Sequence, residues 1–232
     1  PLFDAISARI IHREPALWSS FVWVNKGARD GVQEESPVVV GRSLVGIVES
    51  VLEKKSQIRL ITDRALIPSV RVVRGEPQRA FLISNLLPLM AAFPEDSHLE
   101  ALHTRLLESG GAVYAAKGEV VGSSAPLWRS ARAQLEAVGF QYDVADAYGP
   151  ARECGSGRPY AGGEALELFK EGDLLVTTGM DGLFPAGLDV AYVTSVTAPL
   201  EGEVSYKGVA TPTAGSLDSL THVTLLPPVE GS

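Results

Sequence analysis

Apolar residues recur along this chain in short β-branched runs separated by turn signals. Phe21-Val22-Trp23-Val24 stops at Lys26-Gly27, and Asp30-Gly31 is a pair that tolerates positive φ. Pro37–Val40, Leu44–Val48, Ile58–Ile61 and Val70–Val73 follow at a spacing of about ten residues, the rhythm of a small barrel or sandwich. Several of these runs are apolar throughout, so alternation alone does not assign them to one face. After Arg79 the period lengthens. Ser97-x-x-Glu100 reads as a capping box, and Leu99, Leu102, Leu106 and Leu107 make a helical stripe that ends at Gly110-Gly111. A second helix is predicted over Pro126–Val138, stopped by Gly139. Between the two, Ala112–Val121 predicts a hairpin about Lys117-Gly118, and the Gly/Pro/Arg-rich stretch Tyr148–Gly163 predicts a loop. From Leu166 the β rhythm returns, with Leu174–Thr178, Val190–Val196, Val204–Val209 and Val223–Leu226.

Composition narrows the partners. With 45% hydrophobic and 21% charged residues the 232-residue chain is an ordinary globular one. Its net charge of −8 argues against nucleic acid, which needs clustered Lys and Arg, and against anionic lipid headgroups. The single cysteine, Cys154, excludes an internal disulfide framework and a cysteine-based zinc site. The longest apolar run, Leu86–Phe93, is too short to span a membrane. The chain opens at Pro1 without a methionine, so a segment upstream is expected.

Catalytic patterns are scarce. The chain contains no phosphate-binding glycine loop, nucleophile elbow or zinc-protease pair. Gly155-Ser156-Gly157 would need a histidine such as His12 and an acid held against it, and a plain Gly-Ser turn explains it better. His98 and His103 are five apart and lie on different faces of the predicted helix, a poor metal pair. Asp143 and Asp146 beside Tyr142 and Tyr148 allow a carbohydrate site, but acidic loop residues are far commoner. Cys154 between Arg152 and Arg158 is read as incidental rather than reactive. No metal and no cofactor is expected.

A family pattern runs through the same residues. Ala8-Arg9-Ile10-Ile11-His12-Arg13-Glu14-Pro15, Trp18, Val24-Asn25-Lys26-Gly27 and Asp30-Gly31-Val32 occur in order. Leu44-Val45-Gly46-Ile47-Val48 and Leu60-Ile61-Thr62-Asp63 follow. Then come Gly172-Asp173-Leu174-Leu175-Val176-Thr177-Thr178-Gly179 and Gly182-Leu183-Phe184-Pro185-Ala186-Gly187-Leu188. Together they resemble MreC, the family of bacterial cell-shape determining proteins. The bottom-up reading of the motifs is structural: glycines at strand reversals, with Asp63 and Asp173 bonding backbone amides in turns.

The resemblance implies a mainly β fold of two small six-stranded-type barrels, with a mixed α/β insertion between the two β units. The expected divisions are 5–75 for the first barrel, 86–151 for the insertion and 160–228 for the second barrel. The N-terminal strand is free to pair with the other barrel, and the insertion is expected to be separable. The function implied is a non-enzymatic scaffold of the cell-elongation complex at the periplasmic face of the inner membrane, anchored by an upstream single-pass helix. Its partners would be a class B penicillin-binding protein transpeptidase, with MreB, MreD and RodZ, and a second copy in a dimer or filament. Phe184, Trp18 and Phe21 are the candidate partner anchors, each more often a core residue than a surface one. A degenerate serine hydrolase on a double barrel and a glycan-binding module are the alternatives.

Overall fold

In the computed structural model, residues 5–74, 83, 86–94, 96–108, 113–123, 134–141, 148–149, 152–153, 158, 166–167, 169–197 and 205–229 are described. The strands are β1 (Ile6–Arg13), β2 (Phe21–Val24), β3 (Pro37–Val40), β4 (Ser43–Val51), β5 (Ser56–Leu60) and β6 (Ser69–Val73). Helical residues 86–92 and an α-helix, α1 (Ser97–Glu108), precede β7 (Val113–Gly122) and β8 (Leu135–Gln141). Short pairs β9 (Tyr148–Gly149), β10 (Arg152–Glu153) and β11 (Leu166–Glu167) lead to β12 (Leu174–Thr177), β13 (Asp189–Thr197), β14 (Ser205–Pro212) and β15 (His222–Leu225).

The strand pairings form two closed rings. β4-β3-β15-β1-β2-β5 is closed by β5 against β4, and β12-β6-β7-β8-β14-β13 is closed by β13 against β12. Every neighbour within a ring is antiparallel, and a single parallel pairing, Asp189 opposite Ser43, joins β13 to β4. The mainly β expectation holds.

The division of the chain does not. β6, inside the expected first unit, pairs with β12 through Val73 opposite Leu174, so it belongs to the second ring. β15, inside the expected second unit, pairs with β1 through Ile6 opposite Leu225 and with β3, so it belongs to the first. The N-terminal strand stays in its own ring, and the strand that crosses over is the C-terminal one. Residues 86–151 are not a separable insertion either, because β7 and β8 supply two of the six strands of the second ring. Periodicity identifies a strand but carries no information about a partner more than a hundred residues away.

Two local readings fail for a physical reason. Leu135–Gln141 is a strand, not the end of a helix: Leu135 and Ala137 point inward, and Gly139, with φ 73°, offsets the alternation so that Phe140 is buried too. The rest of the predicted second helix, residues 126–133, lies outside the described residues. Lys117-Gly118 is not a turn but the middle of one long strand. A Cβ on Gly118 would lie 2.7 Å from the ring of Phe140, which stacks on Phe169 with centroids 4.3 Å apart and planes at 11°. A glycine under an aromatic ring lets the barrel interior close around that pair. The predicted first helix is present, but Asp96 caps it rather than Ser97, through Oδ1 to the amide of His98 at 2.9 Å.

Burial explains the continuously apolar runs. β5 and β15 alternate between core and surface, as half-buried strands do. β12 is buried along its whole length, and five consecutive residues of β4, from Leu44, are buried too. Leu44, Gly46 and Val48 share the inner face with Ile58 and Leu60, while Val45 and Ile47 are buried on the other side, where β13 runs alongside. A second close approach joins the rings at Gly122, where a Cβ would sit 2.0 Å from the carbonyl oxygen of Thr62.

Candidate functional site

The three candidate anchors part company in the structure. Phe184 is fully buried in the main core. Asp181 folds it inward: its Oδ1 accepts the amides of Leu183 and Phe184, each at 3.1 Å, and its Oδ2 accepts the amide of Ser69 at 2.9 Å. Phe184 is therefore a core plug and not a surface anchor. The loop around it is built on backbone conformation, with Gly182 at φ 72° and Gly187 at φ 90°, and neither has an atom within 4 Å of a built Cβ. Gly182→Val or Gly187→Val should accordingly cost about 1–3 kcal/mol through backbone strain alone. Thermal melts check this, and unchanged melting temperatures would mean that these turns do not need glycine.

Trp18 is exposed and Phe21 half-buried, both close in sequence at the start of β2 in the first ring. The chain leaves β1, makes a 3-10 turn at Pro15–Leu17 and enters β2, where Val22 and Val24 point into the barrel and Phe21 and Trp23 point out. Trp18 is 40% exposed, beside Leu17, and Ile11 on β1 is exposed as well. A cation stands over each ring. The Arg13 guanidinium is 5.5 Å from the centroid of Trp18, Arg59 is 5.0 Å from Phe21, and Lys55 is 4.5 Å from Trp23. Such contacts contribute roughly 0.5–1 kcal/mol each at exposed sites. The combination of exposed aromatic rings and arginines is the composition of interface hot spots. The aromatic-cation pairs were not read from the sequence. Their signal was the Phe21-x-Trp23 alternation opposite Gln57-x-Arg59, which puts rings and cation on one outer face.

Two acidic groups hold the patch in place. Arg59 donates to Glu49 Oε2 at 2.9 Å and to Asp63 Oδ1 at 2.8 Å. Asp63 also accepts the amide of Ala65 at 2.9 Å, as its turn reading expects. Asp173, likewise, accepts the amide of Lys170 at 2.8 Å and pairs with Arg74. Burial works against the charged form of Asp63, but hydrogen bonds from Ser20, Ala65 and Arg59 outweigh it and hold its carboxyl below the usual range. Glu49 is also lowered, chiefly by the hydrogen bond from Arg59. Both folded-state pKa values lie below their unfolded ones. The stability they supply is therefore complete above about pH 4–5 and lost as pH falls through the folded values. Chemical denaturation between pH 6 and about pH 3 should show this loss, and Arg59→Gln should flatten it.

Arg13 is less completely satisfied. Its Nη2 donates to the carbonyl of Leu217, and its Nη1 is buried with no hydrogen-bond partner. Burial lowers its pKa, opposed by the charge of Asp218. Asp218 Oδ1 instead accepts the indole N–H of Trp18 at 2.9 Å.

Among the described residues no cluster of three or more His, Cys, Asp or Glu is placed to hold a metal. His98 and His103 lie on α1, and His12 is exposed on β1. Ser156, Cys154, Asp143, Asp146, Tyr142 and Trp128 lie outside the described residues. No helix among the described residues is long and apolar enough to cross a membrane.

Comparison with known proteins gives a consistent result. The family described as "Rod shape-determining protein MreC, barrel core" matches residues 10–124 and 160–227. The family match runs on through β7 and breaks off over residues 125–159. A curated relative, the cell shape-determining protein MreC of Listeria monocytogenes, is 23% identical over 97% of this chain and 54% of its own length. The chain spans about half the length of that relative. The solved structure of MreC from Listeria superposes with a TM-score of 0.62 at 21% identity, covering 98% of this chain and 77% of the other. A chain in the complex between penicillin-binding protein PBP2 and MreC from Helicobacter pylori matches with a TM-score of 0.50 at 12% identity, over 98% of both chains.

Proposed function

The chain belongs to the MreC family, whose members are non-enzymatic shape-determining scaffolds, and from that premise we propose that it docks a class B penicillin-binding protein transpeptidase through the Trp18–Phe21 face of its first ring. The observation that carries this reading is a large aromatic side chain, Trp18, left 40% exposed after the exposed Leu17, with the Arg13 guanidinium over its ring. Burial of such a ring in a partner pocket, rimmed by arginine, is how a small contact gains most of its affinity. The relative solved as a complex with a penicillin-binding protein supports that class of partner. The scaffold works at the periplasmic face of the bacterial inner membrane, held there by an anchor upstream. It positions the transpeptidase and favours its active form, within a complex that includes MreB, MreD and RodZ and a second copy of the chain.

The test is direct binding of this protein to the periplasmic part of the host transpeptidase. Trp18→Ala should weaken binding by about 2–4 kcal/mol while leaving the melting temperature near that of the wild type. Phe21→Ala should lose both binding and some stability, because its ring is half-buried under Arg59. Full affinity in the Trp18 variant, or loss of wild-type binding at high salt with every aromatic variant following its own stability, would place the contact on charged rim residues instead.

A further inference from the structure

The longest apolar run of the chain, too short to span a membrane, sits largely in water. Leu86-Leu87-Pro88-Leu89-Met90-Ala91-Ala92-Phe93-Pro94 carries no ionisable side chain and none that can donate a hydrogen bond. Residues of these types usually fill a core. Here residues 86–92 are helical, and the amide of Phe93 donates to the carbonyl of Leu89 at 2.9 Å to complete the last turn. Leu86 is buried and Met90, four residues on, is half-buried, so these two share the covered face. Leu87, Leu89 and Phe93 are 52%, 47% and 61% exposed, and Pro88, Ala91, Ala92 and Pro94 are exposed with them. The run then ends abruptly in polar residues: Asp96, Ser97, His98 and Glu100 are all exposed.

The chemistry of this surface selects its occupant. Protein interfaces draw on Tyr, Trp and Arg, which combine contact area with hydrogen bonds. Residues 86–94 contain none of the three. Their two prolines bring no N–H, and a helix satisfies its backbone groups internally, which is what a medium without hydrogen-bonding partners requires. A short apolar helix bounded by polar residues matches the boundary between headgroups and acyl chains, where such segments lie about 5–10 Å deep. The exposed Asp96 and Glu100, and the net charge of −8, oppose anionic headgroups and leave neutral or zwitterionic ones. We propose that residues 86–94 are a lipid-contact site, which inserts Leu87, Leu89 and Phe93 into the surface of a zwitterionic bilayer and keeps residues 96–100 on the water side. The attraction is apolar, and anionic lipid weakens it. The site is separate from the Trp18 turn and does not depend on the docking reading.

Flotation with phosphatidylcholine vesicles tests the site without any protein partner. The wild type should float with the vesicles. Leu87→Asp combined with Phe93→Asp should partition at least about tenfold less, at an unchanged melting temperature because both side chains already face water. Ile11→Asp, which changes a 46% exposed apolar residue of β1, should float like the wild type, and so should Trp18→Ala. Replacing a third of the phosphatidylcholine by anionic phosphatidylglycerol should weaken flotation at low salt, and added salt should restore it. A wild type that stays off phosphatidylcholine vesicles overturns the proposal and assigns the surface to a protein partner. Unchanged flotation of the Leu87/Phe93 variant overturns it too, as does equal loss in the Ile11 variant. Flotation that needs phosphatidylglycerol and disappears in salt is adsorption by charge, and likewise overturns it.

Discussion

Replacing residues 86–151 with a short Gly/Ser linker is expected to leave an aggregated protein, whereas replacing residues 87–108 alone should leave a soluble one with a β-type circular dichroism spectrum. The longer deletion removes β7 and β8, and with them the buried side chains of Val120, Leu135, Ala137 and Phe140. It also leaves β6 and β14 with unpaired edges, which invite pairing with other chains. The shorter deletion removes a stretch whose Leu87, Leu89, Phe93 and Leu102 are exposed, and no strand of either ring goes with it. The cost of closing a loop grows slowly with its length and does not decide the outcome. Size-exclusion chromatography of both variants tests the assignment. A soluble monomer from the longer deletion would mean that the second ring does not depend on β7 and β8.

Phe184→Ala is expected to be the most destabilising of the aromatic substitutions at the candidate anchors, by about 3–5 kcal/mol. The side chain is wholly enclosed, and the Asp181 turn that directs it inward also ties the loop to the start of β6 through Ser69. The loop cannot collapse into the space left behind without breaking those bonds. Any loss of partner binding should then track the loss of folded protein, in contrast to Trp18→Ala, where binding falls and stability holds. Urea denaturation and binding measured on the same preparations separate the two. Wild-type stability in the Phe184 variant would return that residue to the list of surface anchors.

Much of the strand pattern was legible because β-branched runs and turn residues act locally. β2, β3, β5 and β12 begin and end within a few residues of the expected limits. What stayed hidden was non-local. Leu135 and Val138 suit a helical stripe as well as a strand, and the deciding fact, the pairing of β8 with β7 and β14, lies elsewhere in the chain. Gly118 looked like a turn because nothing next to it reveals that the ring of Phe140 will lie over it. The candidate site shows the same split. The outward placement of Phe21 and Trp23 follows from alternation, and the burial of Phe184 follows from the Asp181 turn. The tie between Trp18 and Asp218 spans 200 positions and has no local signature.

The path of the chain through the two rings also bears on what an incomplete chain can form. All six strands of the second ring lie between Ser69 and Pro212, wholly inside the interval that separates the fifth strand of the first ring from its last. The second ring can therefore finish while the first is still a five-stranded open sheet, with β1 and β3 facing an empty slot. His222–Leu225 fills that slot and supplies the last strand of the first ring. A chain that stops short of it carries two free edges that match the β15 of any complete neighbour, and exchange of that one strand would link copies without a new interface.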